Sequence, residues 1–186
     1  CLPPAVLSNA DLATFTDTSD EWIVTRTGIR ERRISHAEVS DMAAVAGREA
    51  LAAAGVAADQ VDLLIVATCT PDRLVPSAAA LAQEKIGAVG SGAMDLNAAC
   101  SGFLYGLAVA DQMVRTGAMR RVLLIGAEKL HYFLDFTDRA TSVLFGDGAG
   151  AVLVEASEEE GGLLAFELGA DGTAAEILCI PGSGTE

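Results

Sequence analysis

The sequence is poor in basic residues and in aromatic residues, and it has no long apolar run. Lysine and arginine number 12 against 26 acidic residues, which gives a net charge of −14. Affinity for nucleic acids comes largely from contacts with phosphates, so this balance argues against a nucleic-acid partner. No run of 18 apolar residues and no secretory signal are visible, so we expect neither a membrane-spanning helix nor a membrane partner.

Cysteines are few and widely spaced. The four cysteines, Cys1, Cys69, Cys100 and Cys179, show no C-x-x-C spacing and no nearby histidine pairs. A zinc site needs such clustering, so we expect no metal and no permanently bound cofactor. So few thiols in a chain of 186 residues favour reduced cysteines and a cytoplasmic protein.

Apolar residues make up 51% of the chain and aromatic ones only 5%, which favours closely packed helices on a buried sheet. From about residue 40, helical and strand patterns alternate, whereas the first 40 residues are predicted to be irregular. Helices are predicted from Ser40 or Asp41 to Ala54, from Pro76 to Gly87 and from Ser101 to Thr116. Strands are predicted at Val61–Ala67, Gly92–Ala98, Val122–Ala127, Ser142–Phe145, Ala151–Glu155 and Leu163–Leu168, the last two joined by an acidic turn over 158–162. This order indicates an α/β fold whose mixed, mostly parallel sheet has helices on both faces.

Cys100 lies where a predicted strand meets the start of a predicted helix. Free amides and the dipole at a helix N-terminus stabilise an anion, so a thiolate is favoured there. The flanking residues Ala98, Ala99, Ser101 and Gly102 are small, which would let a thioester carbonyl approach the sulfur and nearby amides. From this pattern alone, a nucleophile and a small buried apolar residue are both open readings.

Other features suggest structural roles. Cys69 precedes an irregular stretch, and we interpret it as structural. Segment 146–150 has the wrong order for a dinucleotide fingerprint and is interpreted as a tight turn with close backbone packing. His131 has no partner motif and is interpreted as a surface or interface residue. Arg26, Arg30, Arg32 and Arg33 form a basic island, either a solvated loop or a phosphate site.

Three segments resemble signatures of one family. They are residues 17–32, residues 98–103 around Cys100, and Thr137-Asp138-Arg139 followed by residues 145–151. In this order they closely resemble β-ketoacyl-acyl carrier protein synthase III.

The resemblance implies a thiolase-like fold, in which this chain is one half of a five-layered αβαβα sandwich. Residues 1–186 would be the N-terminal half, cut at both ends and without the C-terminal half, and the protein would be a homodimer. Cys100 would accept an acyl group, typically acetyl, from acyl-coenzyme A. Malonyl-acyl carrier protein would then lose carbon dioxide and condense with the acyl group, as fatty-acid synthesis begins.

The resemblance also implies a coenzyme A site. Trp22 would stack on the adenine, with Arg139 on the other face of that base. Arg26 and Thr18 would lie along the nucleotide and its phosphates. The resemblance therefore favours the interpretation of the basic island as a phosphate site over that of a solvated loop. Phe145 would line the acyl pocket or its entrance.

The family's decarboxylation step uses a histidine and an asparagine from the second half, which neither His36 nor His131 matches. Two alternatives stay open at this point. One is a cysteine-dependent thioesterase or hydrolase with Cys100 as nucleophile and His131 as base. The other is a non-catalytic acyl-coenzyme A-binding subunit. Because the chain is acidic, we expect a basic patch that docks the carrier protein to lie outside it.

Overall fold

The computed structural model describes residues 1–158 and 162–181. The strands are β1 (Ala5–Ser8), β2 (Glu31–Ile34), β3 (Leu63–Ala67), β4 (Gly92–Leu96), β5 (Arg121–Lys129) and β6 (Asp147–Glu155). The α-helices are α1 (Asn9–Leu12), α2 (Asp20–Thr27), α3 (Val39–Ala54), α4 (Ala78–Ile86), α5 (Gly102–Arg115) and α6 (Arg139–Ser142). Short 3₁₀ turns span Ala58–Gln60, Ala99–Ser101, Leu130–Phe133 and Gly172–Ile177.

The central sheet has the strand order β4-β3-β5-β6. Strand β3 runs parallel to β4 and to β5, and β6 is antiparallel to β5. All five residues of β3 are buried, as its unbroken apolar sequence predicts for a strand covered on both faces. The predicted mixed sheet of an α/β fold is therefore confirmed.

Alternating side chains of β3 and β5 divide the core between the two faces of the sheet. Leu64 and Val66 of β3 pack with α3 and α4 on one face. Leu63 and Ile65 pack with α5 on the other. Fully burying a leucine or isoleucine stabilises the fold by roughly 1.5–3 kcal/mol, so the sheet interior carries much of the stability. Helices thus cover both faces, as predicted.

Small residues let the helices approach the sheet closely. A Cβ added to Gly47 of α3 would come within 2.7 Å of Ile86 Cδ1, and one added to Gly106 of α5 within 2.5 Å of Leu124 Cδ1. Both contacts are shorter than side chains tolerate. The abundance of alanine and glycine therefore has a packing reason.

The N-terminal 40 residues are ordered, so the prediction of an irregular segment is wrong. Strand β1 pairs antiparallel with β2, from Ala5 opposite Ile34 to Ser8 opposite Glu31. Helix α2 begins after Ser19, whose hydroxyl accepts a hydrogen bond from the Trp22 amide. Each strand has four residues, which is too short to show a clear two-residue periodicity, and the partner strands lie more than 20 residues apart in sequence.

Predicted helix ends agree better with the structure than predicted starts. Gly55 and Gly87 end α3 and α4 in the left-handed conformation. Helix α3, however, begins at Val39, and Ser40 donates its hydroxyl to Asp72 instead of capping it. Pro76 lies outside α4, which is capped by Ser77.

Two predicted strands after residue 140 are wrong. Residues 139–142 form α6, which is capped by Asp138, and residues 163–168 form no regular element. Leu164 is 89% exposed. The segment therefore has the apolar sequence pattern of a strand, but this apolar side chain is not buried against the core. Strand β6 contains the predicted 151–155, and the proposed acidic turn lies partly outside the described residues.

Within residues 1–158 and 162–181, none of the helices combines the length and apolar character needed to cross a bilayer.

Gly146 makes a close contact between the start of β6 and β2. Segment 146–150 leads into and forms the first part of β6, so its interpretation as a tight turn is wrong, although the expected close packing is present. A Cβ on Gly146 would lie 2.9 Å from Arg32 Cβ and 3.0 Å from the carbonyl oxygen of Arg33. The carbonyl oxygen of Arg33 belongs to the backbone, so it cannot move away from an added Cβ as the end of a flexible side chain can.

We expect Gly146→Ala to lower the free energy of unfolding by about 1–3 kcal/mol, because the added methyl group forces β2 and β6 apart. Urea-induced unfolding of the purified protein measures this change. The matched control is Gly150→Ala, since a Cβ there meets no atom within 4 Å among the described residues. Equal stability of the two variants would contradict the packing argument.

Candidate active site

A cavity opens at the carboxyl ends of the parallel strands. Because β3, β4 and β5 run in the same direction, the residues that follow them meet at one edge of the sheet. Cys69 follows β3, Cys100 follows β4, and Glu128 lies near the end of β5; all three line a cavity of about 620 Å³. Its apolar wall includes Phe103, Leu130, Phe133, Leu134, Phe145 and Leu178.

Cys100 lies in the 3₁₀ turn between β4 and α5, as the sequence predicts, and its side chain is exposed. The preceding residue, Ala99, has a φ of 45°, which is rare for a residue other than glycine. The side chain of Asn97 supports this turn by accepting a hydrogen bond from the Ala99 amide at 3.0 Å. The strained turn presents the Cys100 sulfur to the cavity, much as a nucleophile elbow does.

Two amides that we expected to be free at this junction are already bonded. The Ser101 amide donates to the carbonyl oxygen of Ala98 at 3.1 Å, and the Gly102 amide donates to that of Ala99. They therefore do not point at the sulfur as open donors. The turn between strand and helix satisfies them locally, which the sequence pattern does not reveal.

Cys69 has surroundings that suit its interpretation as structural. Burial, the charge of Glu128 and a hydrogen bond to Glu128 raise the pKa of Cys69 to about 12. Its thiol is therefore protonated at neutral pH, and a protonated thiol is a poor nucleophile.

Glu128 is the cavity residue that sequence reasoning missed. Its carboxylate accepts hydrogen bonds from the Cys69 amide at 2.8 Å and from the hydroxyls of Thr68 and Thr70 at 3.3 and 2.5 Å. A usable signal was present, because Glu128 is a charged residue that directly follows the apolar run Val122–Ala127 of β5. Polar groups at the carboxyl ends of parallel strands are commonly functional.

Trp22, Arg26 and Arg139 form a second cluster. The guanidinium carbons of Arg26 and Arg139 lie 4.3 and 4.5 Å from the centre of the Trp22 ring. Arg26 comes from the next turn of α2, and Arg139 comes from α6 and donates to the carbonyl oxygen of Asp17 at 3.1 Å. The structure thus brings together three residues that the sequence analysis grouped. A flat base stacking on Trp22 would have to displace a guanidinium.

Thr18 lies in the loop before α2. Its hydroxyl oxygen is buried and has no hydrogen-bond partner among the described residues. A buried hydroxyl without a hydrogen-bond partner lowers the stability of the fold. A bound molecule that hydrogen-bonds to the Thr18 hydroxyl would remove this cost.

The segment 134–145, here the bridging segment, separates the Trp22 cluster from the cavity. Leu134, Thr141 and Phe145 line the cavity. Phe136 and Val143 instead pack in the small core beneath Trp22. One segment therefore forms a wall of the cavity and a support for the Trp22 cluster.

The basic island does not act as one unit. Arg32 is buried and donates to the carbonyl oxygens of Leu7 and Val143 and to the side chain of Asn9, so it joins β2 to the N-terminal region and to the bridging segment. Arg33 is paired with Glu31. Of the four arginines, Arg26 is the one stacked on Trp22. The expectation of a shared phosphate site is therefore wrong for Arg32.

His131, which the sequence analysis interpreted as a surface or interface residue without a partner motif, is partly exposed and has a partner. Its Nδ1 lies 2.5 Å from a carboxylate oxygen of Asp147, whose side chain is fully buried. The same carboxylate accepts hydrogen bonds from the amides of Ser35 and His131. The interaction joins β2, β5 and β6, and His131 is not among the described residues that line the cavity.

Comparison with known proteins gives one consistent result. The family model described as 3-oxoacyl-[acyl-carrier-protein (ACP)] synthase III matches residues 94–172. The β-ketoacyl-[acyl-carrier-protein] synthase III 2 of Vibrio vulnificus (strain YJ016) is 54% identical over 185 residues, covering 100% of this chain and 51% of the relative. The β-ketoacyl-[acyl-carrier-protein] synthase III of Xanthomonas oryzae pv. oryzae (strain MAFF 311018) is 54% identical over 182 residues, covering 97% of this chain and 56% of the relative.

Solved structures agree with the sequence comparison. The crystal structure of 3-oxoacyl-(acyl carrier protein) synthase III from Pseudomonas aeruginosa PAO1 superimposes with a TM-score of 0.93 at 45% identity, covering all of this chain and 59% of that one. The fold is thiolase-like, as the resemblance implied. The chain spans about half the length of the curated relatives that it matches. Over that half it has both the sequence and the fold of the β-ketoacyl-acyl carrier protein synthase III family, and it belongs to that family.

Proposed function

We propose that the protein carrying this chain loads an acyl group from acyl-coenzyme A onto Cys100, as the first half of a condensation that begins fatty-acid synthesis. The observation that carries the proposal is the exposed Cys100 sulfur, held by a strained turn in an apolar cavity beside the Trp22 cluster. Those are the parts that thioester transfer requires: a nucleophile, a pocket for the acyl chain and a site for the carrier.

The loading step exchanges one thioester for another. The Cys100 thiolate attacks the acyl carbonyl carbon, the new sulfur–carbon bond forms, and coenzyme A leaves as a thiolate. The aromatic and aliphatic wall of the cavity offers apolar contacts to an acyl chain.

Coenzyme A would lie with its nucleotide end at Trp22. The indole offers a face for adenine, and Arg26 and Arg139 offer charge to the phosphates. The unpaired hydroxyl of Thr18 would gain a partner. The pantetheine arm would then run along the bridging segment toward Cys100, with Phe145 at the cavity wall.

The second step would use malonyl-acyl carrier protein and residues outside this chain. Neither histidine here is placed for decarboxylation, because His131 is bound to Asp147 and His36 is exposed in the loop after β2. We therefore propose that residues 1–186 act as the N-terminal half of a longer homodimeric enzyme, whose second half supplies the histidine and asparagine. All four thiols are free, which suits a reducing cytoplasm.

The geometry does not favour either alternative. A cysteine hydrolase would need a base beside Cys100, and His131 does not line the cavity. A purely binding subunit would leave the strained, exposed turn at Cys100 without a role.

We expect Cys100→Ala to abolish covalent labelling by acetyl-coenzyme A, because the variant lacks the accepting sulfur. Mass spectrometry of the intact protein measures a gain of one acetyl group. Cys179→Ala is the matched control, since Cys179 is also an exposed thiol in the cavity but lies at no helix start. Full labelling of the Cys100 variant at neutral pH would refute the proposal.

We expect Trp22→Ala to weaken coenzyme A binding by about 5- to 30-fold, because stacking of aromatic and guanidinium groups contributes on the order of 1–2 kcal/mol. Calorimetric titration with coenzyme A measures the affinity, and the iodoacetamide reaction rate of Cys100 is expected not to change. The control is Arg33→Ala, which removes an arginine outside the cluster. Unchanged affinity in the Trp22 variant would place the nucleotide elsewhere.

A further inference from the structure

Two thiols share the cavity that would hold the acyl-enzyme. Cys69 follows β3 and Cys100 follows β4, and these neighbouring strands are parallel, so both thiols reach the same space. They are close enough that a negative charge on Cys100 raises the pKa of Cys69. If Cys100 carries an acyl group, as the proposed function requires, a second potential acceptor therefore lies nearby.

Transfer between the two thiols would be chemically simple. The Cys69 sulfur would form a bond to the acyl carbon, and the bond from that carbon to Cys100 would break. The proton lost by Cys69 would end on the Cys100 thiolate, so no other reactant is needed. Because one cysteine thioester replaces another, the free energy of the reaction is small and does not prevent transfer of the acyl group to Cys69. The rate is set by how much of the attacking thiol is ionised.

Glu128 is hydrogen-bonded to the turn that carries Cys69. Its carboxylate accepts a hydrogen bond from the Cys69 amide at 2.8 Å, and its proximity raises the pKa of the Cys69 thiol. The hydroxyl of Thr70 accepts from the Lys129 amide at 2.8 Å, so its own proton is directed at Glu128. The carboxylate is thus held in place by donors from the turn after β3.

The contribution of Glu128 matters most when Cys100 is acylated. Burial is the largest cause of the raised pKa of Cys69, followed by Glu128 and then by the charge of Cys100. An acylated Cys100 is neutral and no longer contributes. Burial and Glu128 are then the causes that still oppose formation of a thiolate at Cys69.

We propose that Glu128 is a positioning residue that keeps the acyl group on Cys100, because its carboxylate, bonded to the Cys69 amide at 2.8 Å in the cavity that both thiols line, lies beside the Cys69 thiol. This inference rests on the proposed function for the identity of the acyl donor. It goes beyond that function in assigning Glu128 a role in which thiol is loaded. A purely structural Glu128 would only anchor the turn at residues 68–70 and would not affect the ionisation of Cys69.

The first experiment uses the full-length protein with Cys100→Ala, so that Cys69 is the acceptor under test. Incubation with acetyl-coenzyme A, followed by peptide mass mapping, is expected to find Cys69 unmodified. Adding Glu128→Gln is expected to raise acetylation of Cys69 about tenfold for each unit by which its pKa falls. The matched control adds Asp135→Asn instead, because Asp135 lines the same cavity but does not act on Cys69. Equal acetylation of Cys69 in both double variants would overturn the inference.

The second experiment needs no coenzyme A and no folded Glu128 variant. The rate of iodoacetamide alkylation at Cys69 is followed from pH 7 to 11 in the Cys100→Ala protein. We expect slow reaction until the pH is well above the ordinary thiol range of about 8.5. Reaction at neutral pH at the rate of a free thiol would overturn the inference even if Glu128→Gln does not fold.

The two experiments also separate the two proposals. If acetyl-coenzyme A labels no cysteine in the wild-type protein, the proposed function fails, whereas the alkylation profile still tests Glu128. If Cys100 is labelled in the wild-type protein but adding Glu128→Gln to the Cys100→Ala protein leaves the acetylation of Cys69 unchanged, the proposed function stands and the role of Glu128 is refuted.

Discussion

The parallel pairing of β3 with both β4 and β5 is the constraint on which the candidate site depends. Parallel strands bring their carboxyl ends to one edge of the sheet, so residues distant in sequence become neighbours without any specific contact to draw them together. Cys69, Cys100 and Glu128 each occupy that edge for this reason. Buried apolar side chains fix the register of the strands, and a slip of one residue would turn the site residues toward the opposite face.

Local signals made part of this structure predictable. Gly55 and Gly87 ended helices where expected, and the apolar runs of β3 and β5 were recognised because a strand buried on both faces carries no polar residues. The position of Cys100 followed from the same reasoning, since a strand and a helix with a short link place their junction at the sheet edge. These features depend on residues that are close in sequence.

Features that depend on long-range contacts were missed. Arg32 looked like part of a charged surface because its partners Asn9 and Val143 lie in separate parts of the chain. His131 looked unpartnered because the Asp147 carboxylate reaches it only once β6 pairs with β5. Glu128 interacts with a turn 58–60 residues earlier, so its role is visible only after the strands are assembled.

Local charge must dominate over net charge at the Trp22 cluster. The chain carries −14 overall, which would repel an anionic ligand, yet charges further than about 8–10 Å are largely screened at physiological salt. The charges that a phosphate would meet there are therefore the nearby ones, namely the two guanidinium groups stacked on the indole and the carboxylate of Glu21 in the same surface pocket. The stack keeps both guanidinium groups at the ring in the absence of a ligand, and a base that stacks on Trp22 would have to displace one of them. An acidic protein can thus present a prepared anion site, provided that its arginines are held together by an aromatic ring and by the bridging segment.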